Sequence, residues 1–270
     1  MHKKKIFFYF TFIISTILLV FLSILVLKDI IFKSSENLAN KSIYEFLENN
    51  HKDVFTIENI TLFSSANATS NINSNSSFNI SNLTQYTDIA IFINNNSEGE
   101  TYTLENTLKS VKISEINFNT IPTIGTPKLY YKNINNFSKP EFEANQEITN
   151  SLEFNISSED TIDFNTPTLF NNCANPITFS YVNSNIRENY TLSENISNIS
   201  YDGSLLKKCN ITLNSISCCL NFVITIVNNL DETFTCPISI QVPLSTEKNT
   251  IYEGSLIVKP NVYYRFIKNL

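Results

Sequence analysis

The chain offers few residue types that could carry out catalysis. Its only histidines are His2 and His51, and both precede residue 84, where the β-rich part of the sequence begins. A Ser–His or Cys–His pair therefore cannot form within that part from its own residues. The sequence also contains neither a glycine-rich phosphate loop nor a dinucleotide-binding fingerprint. These observations argue against most enzyme classes, and no cofactor or metal site is predicted.

Two pairs of acidic residues are the remaining candidates for catalysis. Glu141 lies close to Glu143, and Asp160 lies close to Asp163. Two carboxyl groups that flank a glycosidic bond can hydrolyse it, so a carboxylate-dependent hydrolase is one hypothesis. Clusters of acidic residues in loops more often form solvated surface, so the hydrolase is the third hypothesis, after the two non-enzymatic roles given at the end of this subsection.

The cysteines all lie in the C-terminal part of the chain, where an extracytosolic location would permit disulfide bonds. A hairpin over residues 210–217 would place Cys209 opposite Cys218 or Cys219. Cys173 would then pair with Cys236, and one thiol would be left over. Buried free thiols are the first alternative. A zinc site is the second, although adjacent cysteines on a strand point to opposite faces and no Cys-x-x-Cys motif or nearby histidine is present.

One short internal repeat is visible. Tyr201-Asp202-Gly203 recurs as Tyr252-Glu253-Gly254, and Ser-Leu follows both copies. We predict that each copy is a tight turn with glycine at positive φ, opening a strand that begins with leucine. A loop that holds a cation is the alternative, but each copy supplies one acidic residue and calcium needs several oxygen ligands.

The stretch 6–27 carries no charged residue. As a helix it would be about 33 Å long, enough to cross a hydrocarbon layer of about 30 Å. The lysines at 3–5 favour a cytoplasmic location for residues 1–5, so the rest of the chain is predicted to be extracytosolic, as in a single-pass cell-membrane protein. A cleaved signal peptide is the alternative, but the apolar run is too long and no pair of small residues marks a cleavage site after it.

Two segments are predicted between this anchor and the β-rich part. Residues 28–63 are predicted to be a juxtamembrane helical segment, with an apolar stripe over 39–47 that either packs on the domain or on other copies of the chain. Residues 64–83 are rich in asparagine and serine, which is typical of a disordered linker.

Residues 84–270 contain many short β-type runs and no long helical pattern between them. Such spacing predicts an antiparallel, Ig-like β-sandwich, built as one domain or as two subdomains over about 84–168 and 169–270. The strongest hairpin joins 218–227 to 233–242, with alternate apolar residues facing the core. The predicted strands are 87–93, 111–118, 127–131, 152–156, 177–182, 216–227, 234–242 and 256–264.

Charge and glycosylation motifs bear on the partners. The formal net charge is −6, and no strongly basic block occurs outside the N-terminus, which disfavours a nucleic-acid partner. If the host glycosylates extracytosolic asparagines, several Asn-x-Ser/Thr sites are expected to be used, which would make the chain a glycoprotein. Asparagines that head such sites include Asn59, Asn67, Asn75, Asn79, Asn82, Asn95, Asn136, Asn155, Asn189, Asn195, Asn198 and Asn210.

Together these features predict a membrane-anchored surface protein with a structural, adhesion or protein-interaction role, whose partner is a protein or a glycan. The alternative is a subunit of a self-assembling surface or secretion structure, in which the chain associates with itself. The order of membrane helix, short helix and β-rich head resembles the architecture of type IV pilin-like subunits. The chain departs from that family's pattern because no glycine precedes a phenylalanine at the start of the apolar run and no glutamate follows within it.

Overall fold

The computed structural model describes residues 53–72, 78–96, 101–192, 199–243, 250–260 and 264–269. Residues Asp53–Leu270 form one compact unit. The predicted cytoplasmic tail, membrane helix and most of the juxtamembrane segment lie outside the described residues. Within the described ranges, no helix is long and apolar enough to span a membrane.

The described part of the chain is mainly β, as the sequence predicts, with short helical turns between some of the strands. Two short α-helices precede the longest hairpin of the C-terminal half: α1 (Ser204–Lys208) and α2 (Leu213–Ile216). Single 3₁₀ turns lie at Ile134–Asn136, Ala144–Gln146 and Ile251–Glu253. The strands are β1 (Thr56–Ile72), β2 (Phe78–Asn94), β3 (Leu108–Thr120), β4 (Thr126–Tyr131), β5 (Glu147–Ile148), β6 (Leu152–Ser157), β7 (Thr168–Phe170), β8 (Ile177–Arg187), β9 (Tyr190–Leu192), β10 (Cys218–Asn228), β11 (Thr233–Val242), β12 (Leu256–Val258) and β13 (Ile267–Lys268).

The strands form two sheets. Sheet A has the order β12–β1–β2–β8–β4–β5, and β9 also pairs with β2; sheet B has the order β13–β11–β10–β3–β6–β7. The described strand pairs are antiparallel, as predicted, except that β6 and β7 are parallel. Strands from both halves of the sequence alternate within each sheet, since β8 lies between β2 and β4 and β10 lies beside β3. Strands from both ranges, 84–168 and 169–270, therefore contribute to each sheet.

The main hydrophobic core lies between the two sheets. Apolar residues at alternate positions of β10 and β11 are buried, which confirms the predicted hairpin and its inward face. Across the core, the Phe179 ring of sheet A meets the Phe222 ring of sheet B edge-on, with centroids 5.3 Å apart. Aromatic pairs of this geometry add to the gain from burying apolar area.

The predicted linker over 64–83 is part of sheet A. Its described residues belong to β1 and β2, which pair with each other along almost their whole length. Some small and polar side chains are buried here because they find partners on neighbouring elements. Ser64 Oγ lies 2.8 Å from Thr87 Oγ1 on the neighbouring strand, and Ala66 and Ala68 belong to a second hydrophobic cluster that includes Leu205 of α1.

The two copies of the repeat pack against each other, with different backbone conformations. Gly254 has φ +131° and leads into β12, as predicted. The prediction was wrong for Gly203, which has φ −58° and precedes helix α1 instead of a strand. The reason for glycine at 203 is space: a Cβ atom there would clash with the carbonyl oxygens of Ile251 and Gly254. The repeat therefore forms one joint between α1 and the turn before β12.

We predict that Gly203→Ala lowers the free energy of unfolding by about 1–3 kcal/mol, since the added methyl group forces two packed backbone segments apart. The shift in the urea midpoint of the full-length protein in detergent, followed by circular dichroism, measures this loss. Lys259→Ala changes an exposed side chain just after β12 and should leave the midpoint within error. Equal midpoints for Gly203→Ala and the wild type would contradict the packing role of Gly203.

Candidate functional site

The acidic pairs that the sequence offers for catalysis lie on exposed loops. Glu141 and Glu143 are exposed in the segment between β4 and β5, and Asp160 and Asp163 are exposed between β6 and β7. The Asp163 carboxylate accepts a hydrogen bond from the backbone N–H of Asn165 at 3.0 Å, as in a local turn. Both histidines fall outside the described residues. Among those that are described, no group of three or more His, Cys, Asp or Glu side chains could hold a metal ion.

The acidic residues of the repeat have local partners. Asp202 Oδ1 accepts the backbone N–H of Ser204 at 2.9 Å, in the turn that starts α1. Glu253 Oε1 lies 3.4 Å from the ammonium group of Lys207, and both side chains are mostly exposed. Tyr252 donates its hydroxyl hydrogen to the carbonyl oxygen of Ile211, while Tyr201 is half exposed. The arrangement joins α1 to the turn before β12 and gives the repeat a structural role.

The predicted disulfide bonds are absent from the structure, in which all five cysteines are free thiols. Residues 204–216 form two short helices instead of a hairpin, so Cys209 does not face Cys218 or Cys219 across a turn. Cys209 lies in the cluster around α1, and Cys236 lies in the core between the sheets, where Cys173 packs at its margin. Burial raises the pKa of Cys173 and of Cys236 to about 12, which keeps both as unreactive thiols at neutral pH.

The segment between β4 and β5, residues 133–146, covers the outer face of sheet A. A small aromatic cluster forms under it. Phe63, Tyr86 and Val182 of three neighbouring strands are buried there, with Phe137 and Phe142 of the segment packed on them. Sheet A is thus covered on both faces, by sheet B on one side and by this segment on the other. We call residues 133–146 the covering segment.

A buried ion pair lies beneath the covering segment. The ammonium group of Lys132 lies 3.6 Å from Asp88 Oδ2, and the two side chains are 1% and 0% exposed. Lys132 Nζ also donates to the carbonyl oxygens of Lys139 at 2.5 Å and of Glu141 at 3.0 Å. The Phe142 ring lies against the same nitrogen, 4.5 Å from its centroid.

Asp88 has two further donors of its own. Its Oδ2 accepts the backbone N–H of Ser138 at 2.7 Å, and its Oδ1 accepts the hydroxyl of Ser180 on β8. The pair therefore joins the centre of sheet A to the covering segment through backbone groups on that segment. A buried carboxylate and ammonium are tolerated only where the remaining hydrogen-bonding positions are filled in this way.

Burial shifts both partners toward their neutral forms. Loss of solvent raises the pKa of Asp88 to about 6, even though Lys132 and the hydrogen bonds from Ser180 and Ser138 act in the opposite direction. Loss of solvent likewise lowers the pKa of Lys132, against the attraction of Asp88. The energies of the ionic and neutral forms of the pair are thus closer here than in water.

A second feature lies at one end of the sandwich, on the loop before β3 and on the β10–β11 turn. Asn228 at the end of β10 is fully buried and connects the two. Its side-chain nitrogen donates to the carbonyl oxygen of Glu105 at 2.9 Å, and its oxygen accepts the backbone N–H groups of Leu230 and Glu232 at 3.0 and 2.9 Å. The loops are therefore held in one fixed arrangement.

Three apolar side chains project from these two loops into solvent. Tyr102 is 52% exposed, Leu104 is 61% exposed and Leu230 is 49% exposed. We call these three residues the tip surface. Rigid loops that present aromatic and aliphatic side chains on a packed scaffold are typical of protein-binding surfaces.

Sequence reasoning did not identify the buried pair or the tip surface. The signal for Asp88 is a single acidic residue inside the apolar strand 87–93, since an acid in such a position must be neutral or paired. Its partner could not be named from the sequence, because Lys132 approaches it only through the strand order β2–β8–β4. The two tip loops are likewise distant in sequence and meet through the pairing of β10 with β3.

No protein-family model, no curated protein and no solved structure shows significant similarity to this chain.

We predict that Lys132→Met destabilises the fold by about 3–5 kcal/mol, because it leaves the carboxyl group of Asp88 buried without its cation. Adding Asp88→Asn should recover part of this loss, since the buried charge is then removed. Urea unfolding of the wild type, both single variants and the double variant gives the coupling energy. Strictly additive losses would contradict the pairing.

Asn228→Ala should cost about 1–3 kcal/mol, because two backbone N–H groups and the Glu105 carbonyl lose a buried partner. Hydrogen exchange should also accelerate at the amides of Leu230 and Glu232. Asn214→Ala, at an exposed asparagine, serves as the control. Unchanged exchange at both amides in Asn228→Ala would show that Asn228 does not hold the tip loops.

Proposed function

We propose that this chain is a membrane-anchored interaction protein at the cell surface, and that its β-sandwich binds a protein partner through the tip surface. The anchor is the uncharged stretch 6–27, with residues 1–5 on the cytoplasmic side. The observation that carries the proposal is the exposure of Tyr102, Leu104 and Leu230 on two loops that a buried asparagine holds together.

The fixed arrangement of the tip loops supports a binding role. Within the first loop, Thr103 N–H donates to the side chain of Asn106 at 2.8 Å, and the Asn106 amide donates back to the carbonyl oxygen of Thr101 at 3.1 Å. The two loops are also linked where Asn229 donates to Thr107 Oγ1 at 2.8 Å. A surface that is ordered before binding loses less conformational entropy on association.

The chemistry of the described residues supports a binding role over the hydrolase alternative. The four acidic candidates are exposed on separate loops, and the buried acid, Asp88, lies beneath the covering segment. Three exposed aromatic or aliphatic side chains on hydrogen-bonded loops favour a protein partner, because side chains of this kind form the buried centre of protein–protein interfaces.

A photo-crosslinking amino acid placed at Leu104 tests the proposal in intact cells. We expect a covalent adduct with one other surface protein, which mass spectrometry would identify. Adding Tyr102→Ser and Leu230→Ser should abolish that adduct, because both changes remove apolar contact area at exposed positions without disturbing the core.

The control places the same probe at Ile121, which is 68% exposed and lies at the opposite end of β3. The partner should give no adduct there. Failure to form an adduct from Leu104, or equal adducts from both positions, would contradict the tip surface as the binding site. Adducts with further copies of this chain would instead favour the self-assembling subunit.

A further inference from the structure

The buried Lys132–Asp88 pair has an unfavourable geometry for a salt bridge. Charge-assisted N–H···O bonds between such groups are about 2.7–2.9 Å long. Here the nitrogen lies 3.6 Å from Asp88 Oδ2, although both side chains are enclosed. Two ions that are taken out of water lose hydration energy that only close contact restores. The two ions therefore lose their hydration, but the distance between them is too long to restore that energy fully.

The remaining contacts of Lys132 leave its nitrogen lone pair free for reaction. A neutral amine has two N–H bonds and one lone pair. The carbonyl oxygens of Lys139 and Glu141 accept two N–H bonds from Nζ. In the neutral amine these two bonds can remain, which leaves the lone pair free for attack on the carboxyl group of Asp88, whose Oδ2 lies 3.6 Å away.

The contacts of Asp88 suit the electrophile in the same reaction. Ser138 N–H donates to Oδ2 at 2.7 Å, and Ser180 donates its hydroxyl hydrogen to Oδ1. Fixed donors of this kind stabilise the negative charge that develops on the oxygens when a carboxyl carbon becomes tetrahedral. Burial of the pair, together with the aromatic cluster around it, keeps bulk water away from the product.

From this geometry we propose that Lys132 and Asp88 condense into an intramolecular amide bond, which joins β2 to the residue that follows β4. One ammonium proton first moves to the carboxylate, which gives a neutral amine and a carboxylic acid. Nζ then bonds to Cγ of Asp88, the bond from Cγ to Oδ1 breaks, and Oδ1 leaves as water with the proton of the carboxylic acid and one proton from the nitrogen. The ammonium and the carboxylate thus give one amide and one water molecule, and no oxidant, reductant or cofactor is needed.

The product fits the site better than the ion pair does. The amide is neutral, so the cost of burying two charges disappears. Its carbonyl oxygen, the former Oδ2, keeps the hydrogen bond from the backbone N–H of Ser138, and its single N–H can still donate to a carbonyl of the covering segment. The bond would also cross-link two strands that β8 separates, which limits how far sheet A can open under force. This inference is independent of the partner proposed above.

Peptide mass spectrometry of the full-length protein tests the proposal directly. The native protein, digested after denaturation, should yield a branched peptide that joins the segments around Asp88 and Lys132, with a mass lower by one water than the sum of the two linear peptides. Trypsin should not cleave after Lys132, because an acylated lysine is no longer a substrate. Linear peptides with a free Lys132 and a free Asp88 in full yield would overturn the proposal.

Two lysine variants test whether the branched peptide requires the Lys132 amine. Lys132→Arg keeps a cation that cannot form this amide, so the branched peptide should vanish. Lys128→Arg alters an exposed lysine on β4 that pairs with Glu147 at 2.7 Å, and the branched peptide should persist at wild-type yield. A water-loss product that survives in Lys132→Arg would also overturn the assignment. Should Lys132→Arg fail to fold, the wild-type peptide yield alone decides the question.

Discussion

The architecture of the larger sheet depends on how the buried charges of Asp88 and Lys132 are satisfied. Asp88 lies at the centre of β2, on the face that points away from sheet B, and Lys132 follows β4 two strands away. Neither charge could remain on that face without a cover, because an unpaired ion that is removed from water costs several kcal/mol. The covering segment provides the cover, and its backbone groups complete the hydrogen bonds of both ions. One polar contact thus explains why a segment with little regular structure lies in a fixed place.

The sequence patterns correctly predicted a mainly β fold, but they did not predict that polar stretches of the chain form strands. Alternating apolar residues identified β10 and β11 and the side of each strand that faces the core, because burial of one face imposes a period of two. The stretch 64–83 was mistaken for a linker because its composition is polar. In the structure Ser64 finds a hydroxyl partner in Thr87, and Ala66 and Ala68 need little space under α1. Composition alone does not reveal partners that lie on a neighbouring strand.

The errors at Gly203 and at the cysteines have a related cause. Glycine was read as a residue that permits positive φ, whereas Gly203 is required because a carbonyl group from a distant turn packs against it. The proposed disulfides assumed a hairpin over residues 210–217, but α1 and α2 occupy this region. Both depend on long-range packing that spacing along the chain does not encode. The same limit applies to the candidate site, since the tip loops and the buried pair are each brought together by strand order.

The described structure combines a stable framework with a small set of exposed apolar side chains. The core between the sheets and the cluster around α1 form the framework, while Tyr102, Leu104 and Leu230 project from the loops next to β3 and β10. Asn228 holds those loops together through buried hydrogen bonds. The three side chains of the tip surface are about half exposed or more.

Hydrogen exchange at the Ser138 amide tests most directly whether the buried pair holds the covering segment in place. Ser138 N–H donates to the buried Asp88 carboxyl, whereas Asn165 N–H donates to the exposed Asp163 carboxylate in another loop. Both amides lie outside the strands, so regular structure does not distinguish them. Ser138 should exchange as slowly as the central strands of sheet A, and Asn165 should exchange quickly. Equal, rapid exchange at both amides would contradict a fixed covering segment and with it the role assigned to Asp88 and Lys132.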